Sequence, residues 1–244
     1  MADAAEALLR LNGVYTDIGR YQILYGVDLS VQRGRVTMLL GRNGAGKTTT
    51  LRTIMALWKA RAGAITFDGR SIAGMETPDI ARLGIAYVPE NMGIFGKLTV
   101  RENMLLATGA QGFAKDHLDR VLAFFPALKL KWEAAAGSLS GGQKQMLAIG
   151  RAIVEPRRLL LVDEPTKGLS PAMVDQLVEA LLRMKKEQTT ILLVEQNFRV
   201  ALAMGDDVAV MDQGRIVHSG STAALGNDDE LQQRLLGLSM AVGA

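Results

Sequence analysis

A glycine-rich octapeptide at positions 41–48 limits the possible folds of this 244-residue chain more than any other feature. It fits the pattern G-x-x-x-x-G-K-[ST], follows an aliphatic run at residues 36–40, and precedes a stretch with the apolar spacing of a helix. Glycines allow the backbone to turn tightly around an anion, so that successive N–H groups point inward, and the helix N-terminus adds partial positive charge. The pattern therefore predicts a phosphate-binding loop (P-loop) between a buried strand and a helix, with an unliganded glycine-rich turn as the alternative.

Two side chains at the end of this loop carry its specific chemistry. A full charge at ~4 Å is worth roughly 4 kcal/mol at an effective dielectric near ~20, against about 0.3–1 kcal/mol for an exposed helix terminus. We therefore expect the charge of Lys47 and a bound Mg²⁺ to dominate phosphate binding, with the Thr48 hydroxyl on the metal and Thr49 donating to a phosphate. The residues expected to line the nucleotide are Gly41, Arg42, Asn43, Gly44, Ala45, Gly46, Lys47, Thr48 and Thr49.

An aliphatic run at residues 159–162 ends in two consecutive carboxylates, Asp163 and Glu164. Ligands of a parallel sheet lie at the carboxyl ends of its strands, so these side chains are expected beside the P-loop. Asp163 is then the candidate for holding the water shell of the metal, and Glu164 is the candidate for orienting and deprotonating the attacking water. A strand that simply ends in two solvated acids is the alternative.

A short signature segment, residues 139–143, precedes another stretch with helical spacing. Ser140 and Gln143 fit an S-x-x-Q capping box, but Gly141 and Gly142 weaken a first helical turn and leave backbone that a phosphate can approach closely. The P-loop, the signature segment and the acidic pair follow one another in the order found in ABC (ATP-binding cassette) ATPases, which the chain resembles over nearly its whole length. The resemblance implies that the nucleotide is ATP. It also implies a head-to-tail dimer, in which the signature segment of one protomer closes on the γ-phosphate bound by the other.

Strand and helix patterns alternate along the chain, which predicts an α/β fold with a mostly parallel, doubly wound sheet. The resemblance implies a P-loop NTPase core with an N-terminal antiparallel β subdomain and an inserted helical subdomain. We expect one domain over residues 1–244, in which residues 1–90 and 156–244 form the nucleotide-binding core and residues 91–155 form a helical lobe. Local patterns further predict strands at 8–14 and 23–31, a helix from Lys47 with an apolar stripe reaching Trp58, a helix over 171–188, and a three-residue hairpin loop at 212–214.

Two positions depart from the residues that the family usually has. Glu90 stands where the family has a glutamine that contacts Mg²⁺ and the membrane subunit; its carboxylate can still ligate the metal but adds negative charge beside the γ-phosphate. Gln196 stands where the family has a histidine, after the strand pattern at residues 191–194. It keeps an N–H donor for the γ-phosphate but cannot titrate, so hydrolysis is expected to lack a histidine limb near pH ~6.5. Capping of a strand end is the alternative role of Gln196.

The aromatic side chain that stacks on adenine in this family has no counterpart at the usual position. That position corresponds to Ile18, which cannot stack. Tyr15 is the first candidate to replace it and Tyr21 is the second, with packing as the alternative for both. Ser170, where the family often has Asp, fits both a helix N-cap and a dimer contact.

Glu90, Gln196 and the P-loop residues resemble in particular the second ATPase of branched-chain amino-acid importers, and importers of urea or short amides are similar. The resemblance implies a second ATPase protomer, either the same chain or a different one, integral membrane permease subunits, and a periplasmic solute-binding protein that acts indirectly. Residues 93–100 are the expected edge of the socket for a coupling helix of the permease. An ABC exporter or lipid-extraction ATPase, and a soluble ABC ATPase that acts on DNA or the ribosome, remain alternatives.

Composition excludes several other classes of protein. No cysteine is present, which rules out disulfides, thiolate metal sites and cysteine nucleophiles. The formal net charge of +3 is small for a nucleic-acid binder, and we expect no nucleic-acid partner. Residues 1–6 lack a signal-peptide pattern, and the aliphatic runs fall far short of the ~20 residues that cross a bilayer. We therefore expect a peripheral protein on the cytoplasmic face of the inner membrane.

Overall fold

Two β-sheets form the framework of the chain, and the computed structural model describes residues 7–108 and 112–236. Residues 1–6, on which the expectation of no signal peptide depends, lie outside the described residues. The strands are β1 (Ala7–Ile18), β2 (Tyr21–Gln32), β3 (Val36–Leu40), β4 (Ala60–Phe67), β5 (Arg70–Ser71), β6 (Ile85–Val88), β7 (Leu159–Asp163), β8 (Thr190–Val194), β9 (Asp207–Asp212) and β10 (Arg215–Ser221). The helices are α1 (Lys47–Ile54), α2 (Thr77–Arg82), α3 (Val100–Leu105), α4 (Lys115–Phe124), α5 (Pro126–Leu130), α6 (Gly141–Ile153), α7 (Pro171–Lys186), α8 (Phe198–Met204), α9 (Thr222–Gly226) and α10 (Asp229–Leu236).

The larger sheet is mostly parallel and has the strand order β10-β9-β3-β8-β7-β6, in which β10 runs antiparallel to β9. Strands β3, β7 and β8 are buried at every position, as expected for aliphatic runs that are covered on both faces. Strands β2, β1, β4 and β5 form a separate antiparallel sheet in that order. The predicted α/β fold, with an antiparallel N-terminal sheet and a mostly parallel main sheet, is confirmed.

Parallel pairing aligns the carboxyl ends of four neighbouring strands. Leu39 of β3 and Asp163 of β7 both pair with Val194 of β8. Val88 of β6 pairs with Val162 of β7. The segments that follow these strands therefore meet at one edge of the main sheet, where the P-loop also begins.

The N-terminal hairpin is longer than the predicted strands at 8–14 and 23–31. Strand β1 continues to Ile18 and β2 begins at Tyr21, so the turn contains Gly19 (φ +62°) and one further residue. One polar residue of this extension is held by α1. Thr16 is buried, and its hydroxyl lies 3.1 Å from the hydroxyl of Thr53 on α1.

Helix α1 ends at Ile54, so the prediction that the helix and its apolar stripe reach Trp58 was wrong. Ala56 adopts a left-handed conformation (φ +55°), its N–H donates to the Thr53 carbonyl, and the N–H of Leu57 donates to the Arg52 carbonyl at 2.9 Å. This pair of bonds is the Schellman ending of a helix, which usually has glycine at the left-handed position. An alanine there gives no sequence signal for a helix end.

The hairpin between β9 and β10 has a two-residue loop and not the predicted three-residue one. Asp212 pairs with Arg215, and both intervening residues, Gln213 (φ +43°) and Gly214 (φ +75°), have positive φ. This is the type I′ turn, which matches the twist of the flanking strands. The sequence shows only the glycine, because a glutamine in the left-handed region is uncommon.

Between β6 and β7 the described residues form helices α3 to α6, in the segment for which we expect a helical lobe. Met104, Val121 and Ile149 of this lobe belong to the same buried cluster as Val36 and Leu160 of the main sheet. The lobe therefore shares its buried cluster with the sheet. The assignment of residues 91–155 to a separate helical subdomain stays a prediction. In the part of the chain that the structure describes, no helix is both long and apolar enough to span a membrane.

Candidate active site

The P-loop turns from β3 into α1 with its lysine folded inward. Gly41 has φ +148°, and a Cβ there would lie 2.2 Å from the Met211 carbonyl oxygen, so any side chain would collide with the backbone of β9. Lys47 is almost fully buried, and its Nζ donates to the carbonyls of Gly41 at 2.8 Å and Arg42 at 3.1 Å. The lysine therefore points back along the loop, toward the space that its glycines enclose.

Thr48 and Asp163 are brought together as the sequence predicted. The Thr48 hydroxyl donates to Oδ1 of Asp163 at 3.1 Å, which joins the first turn of α1 to the end of β7. The hydroxyl of Tyr87, on the neighbouring strand β6, donates to the other oxygen, Oδ2, at 3.2 Å. Asp163 is fully buried, and burial raises the pKa of its carboxyl above the usual value. Burial, followed by the neighbouring Asp163, raises the pKa of Tyr87 to about 12.

Glu164 follows Asp163 in an unusual backbone conformation. Its φ is +47°, in the left-handed region, and the next residue is Pro165, which disfavours compact conformations in the residue before it. Such a residue costs of order 1–3 kcal/mol and persists where surrounding contacts over-determine it. Here the Glu164 N–H donates to the Val194 carbonyl at 2.9 Å, and the carboxylate lies 3.5 Å from Nζ of Lys47. The strained turn aims the carboxylate at the P-loop.

Gln196 lies between the P-loop and the acidic strand end. Its Nε2 donates to Oε1 of Glu164 at 2.7 Å and to Oδ1 of Asn43 at 2.6 Å. Lys47 reaches the same Glu164 oxygen from the other side. The structure thus brings together four of the predicted residues, which are Asn43, Lys47, Glu164 and Gln196. The carboxamide takes part in more than the capping of a strand end, because both of its contacts belong to neighbouring segments of the site.

A buried carboxylate that the sequence interpretation missed supports this arrangement from behind. Glu195 is 2% exposed, and burial raises the pKa of its carboxyl. Its Oε1 accepts from the N–H and the hydroxyl of Thr166, at 3.1 and 2.8 Å, while Oε2 accepts from the N–H of Gln196 at 3.1 Å and of Asn197 at 3.4 Å. Glu195 therefore ties the turn after Glu164 to the end of β8. A carboxylate directly after a fully aliphatic strand was its only sequence signal.

Glu90 is exposed and is paired with a second residue that sequence interpretation missed, Lys167. The Lys167 ammonium donates to Oε1 of Glu90 and lies 3.7 Å from Oε2 of Glu164. The hydrogen bond to Glu90 raises the pKa of Lys167. Glu90 is thus at the predicted edge of the sheet, on the outer side of Glu164.

The signature segment forms the capping box that its spacing predicts. The N–H of Gln143 donates to Oγ of Ser140 at 3.3 Å, and the N–H of Ser140 donates to Oε1 of Gln143 at 3.1 Å. Gly142 packs against α7, because a Cβ there would lie 2.1 Å from the Cε of Met173 and that methionine would have to move. Ser140 and Gly141 are exposed, and among the described residues no hydrogen bond joins them to the P-loop of the same chain. Ser140 and Gly141 therefore face outward, while Leu139 and Gly142 of the same segment are buried.

The position of Tyr15 gives no support to a role in stacking on adenine. Its ring lies 5.7 Å from the guanidinium of Arg61, on the face of β1 opposite to Thr16, which points at α1. Tyr21 is 76% exposed. A cavity of about 510 Å³ beside Gly44 is lined by another aromatic, Tyr25, whose ring faces the guanidinium of Arg215. Tyr25, which the sequence interpretation passed over, thus lines a cavity together with a P-loop residue.

Ser170 stands at the N-cap of α7, but its side chain makes no capping bond to the first turn. The carbonyl of Ser170 accepts from the N–H groups of Met173 and Val174, both at 3.0 Å. The hydroxyl therefore does not serve as a side-chain cap, so the capping alternative for this side chain is not supported. The dimer-contact alternative stays a prediction.

A P-loop lysine, a threonine paired with a strand-end aspartate, and an adjacent glutamate define a P-loop nucleotide hydrolase. The chain belongs to the ABC transporter family, whose model matches residues 24–167. It is 40% identical over 234 residues to the high-affinity branched-chain amino acid transport ATP-binding protein BraG of Pseudomonas aeruginosa, covering 94% of this chain and 100% of that protein. It is 34% identical to a probable branched-chain amino acid transport ATP-binding protein LivF of Archaeoglobus fulgidus, covering 94% of this chain and 98% of that protein.

Solved structures agree with this assignment. A nucleotide-free ATP-binding cassette from an ABC transporter superposes with a TM-score of 0.81 at 26% identity, covering 97% of this chain and 98% of that chain. The ADP conformation of MJ1267, an ATP-binding cassette of an ABC transporter, also gives 0.81, at 25% identity and with 95% and 98% covered. The resemblance to ABC ATPases that the motifs indicated is confirmed, and the chain is an ATP-binding ABC-type ATPase.

Proposed function

We propose that this chain is the ATP-hydrolysing subunit of an importer for branched-chain amino acids or related small solutes, and that it acts from the cytoplasmic face of the membrane. The main support is the convergence of Lys47, Glu164 and Gln196 at one sheet edge, in a chain of which 94% matches the whole length of BraG. These three residues supply the hydrolytic chemistry, and the similarity to BraG suggests the transported solute.

The residues present fit ATP with Mg²⁺. Mg²⁺ prefers hard oxygen ligands and usually takes only one or two from the protein, and the Thr48 hydroxyl and the Asp163 carboxylate lie side by side at the P-loop. Glu90 is a further carboxylate at the same edge. When bound, Mg²⁺ would offset phosphate charge and help to align the γ-phosphoryl group. Lys47, the loop N–H groups of residues 41–46 and the Thr49 hydroxyl would hold the triphosphate itself.

Glu164 is the group that would activate water. Its carboxylate is buried to 8% exposure and held by Lys47 and Gln196, so it is oriented before substrate binds. It would accept a proton from the attacking water as the oxygen bonds to the γ-phosphorus and the bond to ADP breaks. Gln196 would keep one N–H on Glu164 or the γ-phosphate. Because its carboxamide does not titrate, it contributes a fixed donor rather than a proton.

A head-to-tail dimer would complete the site. Ser140 and Gly141 are exposed at the start of α6, and their own P-loop is not hydrogen-bonded to them in the described chain. An outward-facing helix start with small residues suits a phosphate brought by another protomer. The partner would be a second copy of this chain or a related ATPase.

A groove between the main sheet and the helical lobe is our proposed docking site for the permease. Its volume is about 530 Å³ and its lining includes Arg52, Trp58, Gly93 and Arg151. Trp58 Nε1 and Arg151 Nε are buried donors without a hydrogen-bond partner, and Arg151 also lies over the ring of Phe95. The lining of the groove includes the cations Arg52 and Arg151, which suits a permease segment with carboxylates or free carbonyls. Gly93 also belongs to residues 93–100, the expected edge of the socket for the coupling helix of the permease. A periplasmic solute-binding protein would act on the permease, not on this chain.

The proposal is tested by isolating the native complex and identifying its membrane subunits, together with leucine uptake in cells that lack the gene. We expect uptake to be restored by the wild-type chain and not by Glu164→Gln. Arg151→Glu should release the chain from its permease while ATP binding by the free chain is retained. Lys129→Ala, an exposed lysine outside the groove, serves as the control. Uptake that is normal without this chain, or a native complex with no membrane subunit, would refute the importer assignment.

A further inference from the structure

Lys167 occupies a place at the site that the hydrolytic residues do not explain. It lies on the turn between β7 and α7, and its ammonium group contacts two carboxylates from different strand ends. One is Glu90, after β6, and the other is Oε2 of Glu164, at 3.7 Å. The opposite oxygen of Glu164, Oε1, is the one that contacts Gln196 and Lys47. Lys167 therefore holds Glu164 from the side that the P-loop does not reach.

The backbone around Lys167 is well anchored. The preceding residue, Thr166, is buried and gives both its N–H and its hydroxyl to Glu195. The N–H of Lys167 itself donates to the Glu164 carbonyl at 3.2 Å, and Gly168 turns the chain away with φ +72°. The start of the lysine side chain is thus set by the turn, although more than half of the side chain is exposed.

The charges at this edge show why such a cation matters. Three carboxylates, Glu90, Asp163 and Glu164, lie around the place where a triphosphate is expected. Lys47 contacts only one of the three by an ion pair in the described residues. Glu90 would therefore repel the γ-phosphate unless its charge were offset locally. Exposed ion pairs contribute little to folding, so stability does not explain the pair.

We propose that Lys167 is a positioning residue for ATP hydrolysis, which offsets the charge of Glu90 and holds the Glu164 carboxylate with Oε1 toward the γ-phosphate. This inference rests on the proposed hydrolytic role of Glu164. In this role Lys167 acts through the Glu164 carboxylate and would contact neither the nucleotide nor the attacking water. The lysine and Glu90 are thus a functional pair: the carboxylate at the family's glutamine position is accommodated because a cation stands next to it.

The test is a double-mutant cycle on the full chain with Mg-ATP: Lys167→Ala, Glu90→Gln, and both together. We expect Lys167→Ala to lower kcat about tenfold, equivalent to ~1.4 kcal/mol, with the KM for ATP changed less than about twofold. In the Glu90→Gln background the same change should cost at most about threefold, since one of the two charges it offsets is gone. Lys167→Arg should restore most of the activity, and the melting temperature should stay at the wild-type value throughout.

Lys186→Ala is the matched control, since Lys186 is exposed at the far end of α7, and it should leave kcat unchanged. The proposal is overturned if Lys167→Ala keeps the wild-type kcat, if its loss is equally large with Glu90→Gln, if arginine does not rescue, or if the melting temperature falls with kcat. Wild-type turnover is measured first. If the wild-type chain does not hydrolyse ATP, the proposed function itself fails, which is distinct from a normal Lys167→Ala in an active chain.

Discussion

The ammonium of Lys47 lies 3.5 Å from the carboxylate of Glu164, and both side chains are almost completely buried. Lys47, whose charge is expected to bind the γ-phosphate, thus contacts Glu164, which is expected to deprotonate the attacking water. Removing one partner of a buried pair leaves the other uncompensated, so the two residues cannot be treated as independent. This contact sets the first prediction.

Glu164→Gln should lower the rate of ATP hydrolysis about 10²–10⁴-fold while ATP binding is kept, because the proton acceptor is lost but the side-chain shape is preserved. ATP should then hold the protomers together, and size-exclusion chromatography with and without Mg-ATP would detect the dimer. Glu179→Gln, on the exposed face of α7, is the control and should hydrolyse normally. Full turnover by Glu164→Gln would remove this residue from the role of base.

A second prediction concerns pH. Wild-type hydrolysis should show no inflection attributable to residue 196, because a carboxamide does not titrate. Gln196→His should introduce an inflection near pH ~6.5, the ordinary pKa of histidine. Rate profiles between about pH 5.5 and 8 for the wild type, Gln196→Ala and Gln196→His would settle this. A limb near pH ~6.5 in the wild type that disappears in Gln196→Ala would contradict it.

The buried Glu195 leads to a third prediction, on stability. Burial raises the pKa of Glu195 in the folded state, so its stabilising contribution is full below the unfolded-state pKa and declines as pH rises through the folded-state pKa. Glu195→Gln removes this titration. We therefore expect the wild type to lose stability relative to Glu195→Gln as the pH is raised from about 4.5 to 7.5.

Urea unfolding at several pH values measures this trend. A constant offset between the two proteins is also expected, because a glutamine amide nitrogen cannot accept the bonds from Gln196 and Asn197. Only the change of the difference with pH tests the prediction. A wild type that gains stability relative to the variant as pH rises would show that the four hydrogen bonds outweigh burial.

Ala56 at the end of α1 leads to a fourth prediction. It is held at φ +55°, where alanine is strained and glycine is not. Ala56→Gly should therefore stabilise the fold by about 0.5–1 kcal/mol. The exposed helical Ala123→Gly on α4 is the matched control and should destabilise by about 0.5–1 kcal/mol. The denaturant midpoints of Ala56→Gly and Ala123→Gly, each compared with the wild type, measure these changes. Destabilisation by Ala56→Gly would show that the entropy of the unfolded state dominates.

Features that depend on a few consecutive residues were predictable from the sequence. The P-loop, the acidic pair and the signature segment each combine a local motif with a flanking strand or helix, and the aliphatic runs before Gly41, Glu164 and Glu195 predicted buried parallel strands. Their meeting at one edge followed from a general property of parallel sheets.

The features that were missed depend on conformation or on distant contacts. Lys167 and Glu195 acquire their partners only when three strand ends meet; no local pattern marks Lys167, and Glu195 is marked only by its place after an aliphatic strand. Tyr15 and Tyr25 are paired across the β1–β2 hairpin, but of the two only Tyr25 lines the cavity beside Gly44, and the long hairpin was not foreseen. Ala56 and Gln213 end their elements in left-handed conformations that usually belong to glycine.

The common interior of the lobe and the main sheet restricts how this chain could be redesigned. Buried side chains of α3, α4 and α6 belong to the same apolar cluster as those of β3 and β7, and protein interiors are packed about as densely as organic crystals. A lobe grafted from another transporter would leave voids or clashes along that seam unless the sheet face were rebuilt with it. New docking specificity is therefore more accessible through the rim of the groove, at positions such as Phe95 and Arg151, than through exchange of whole helices.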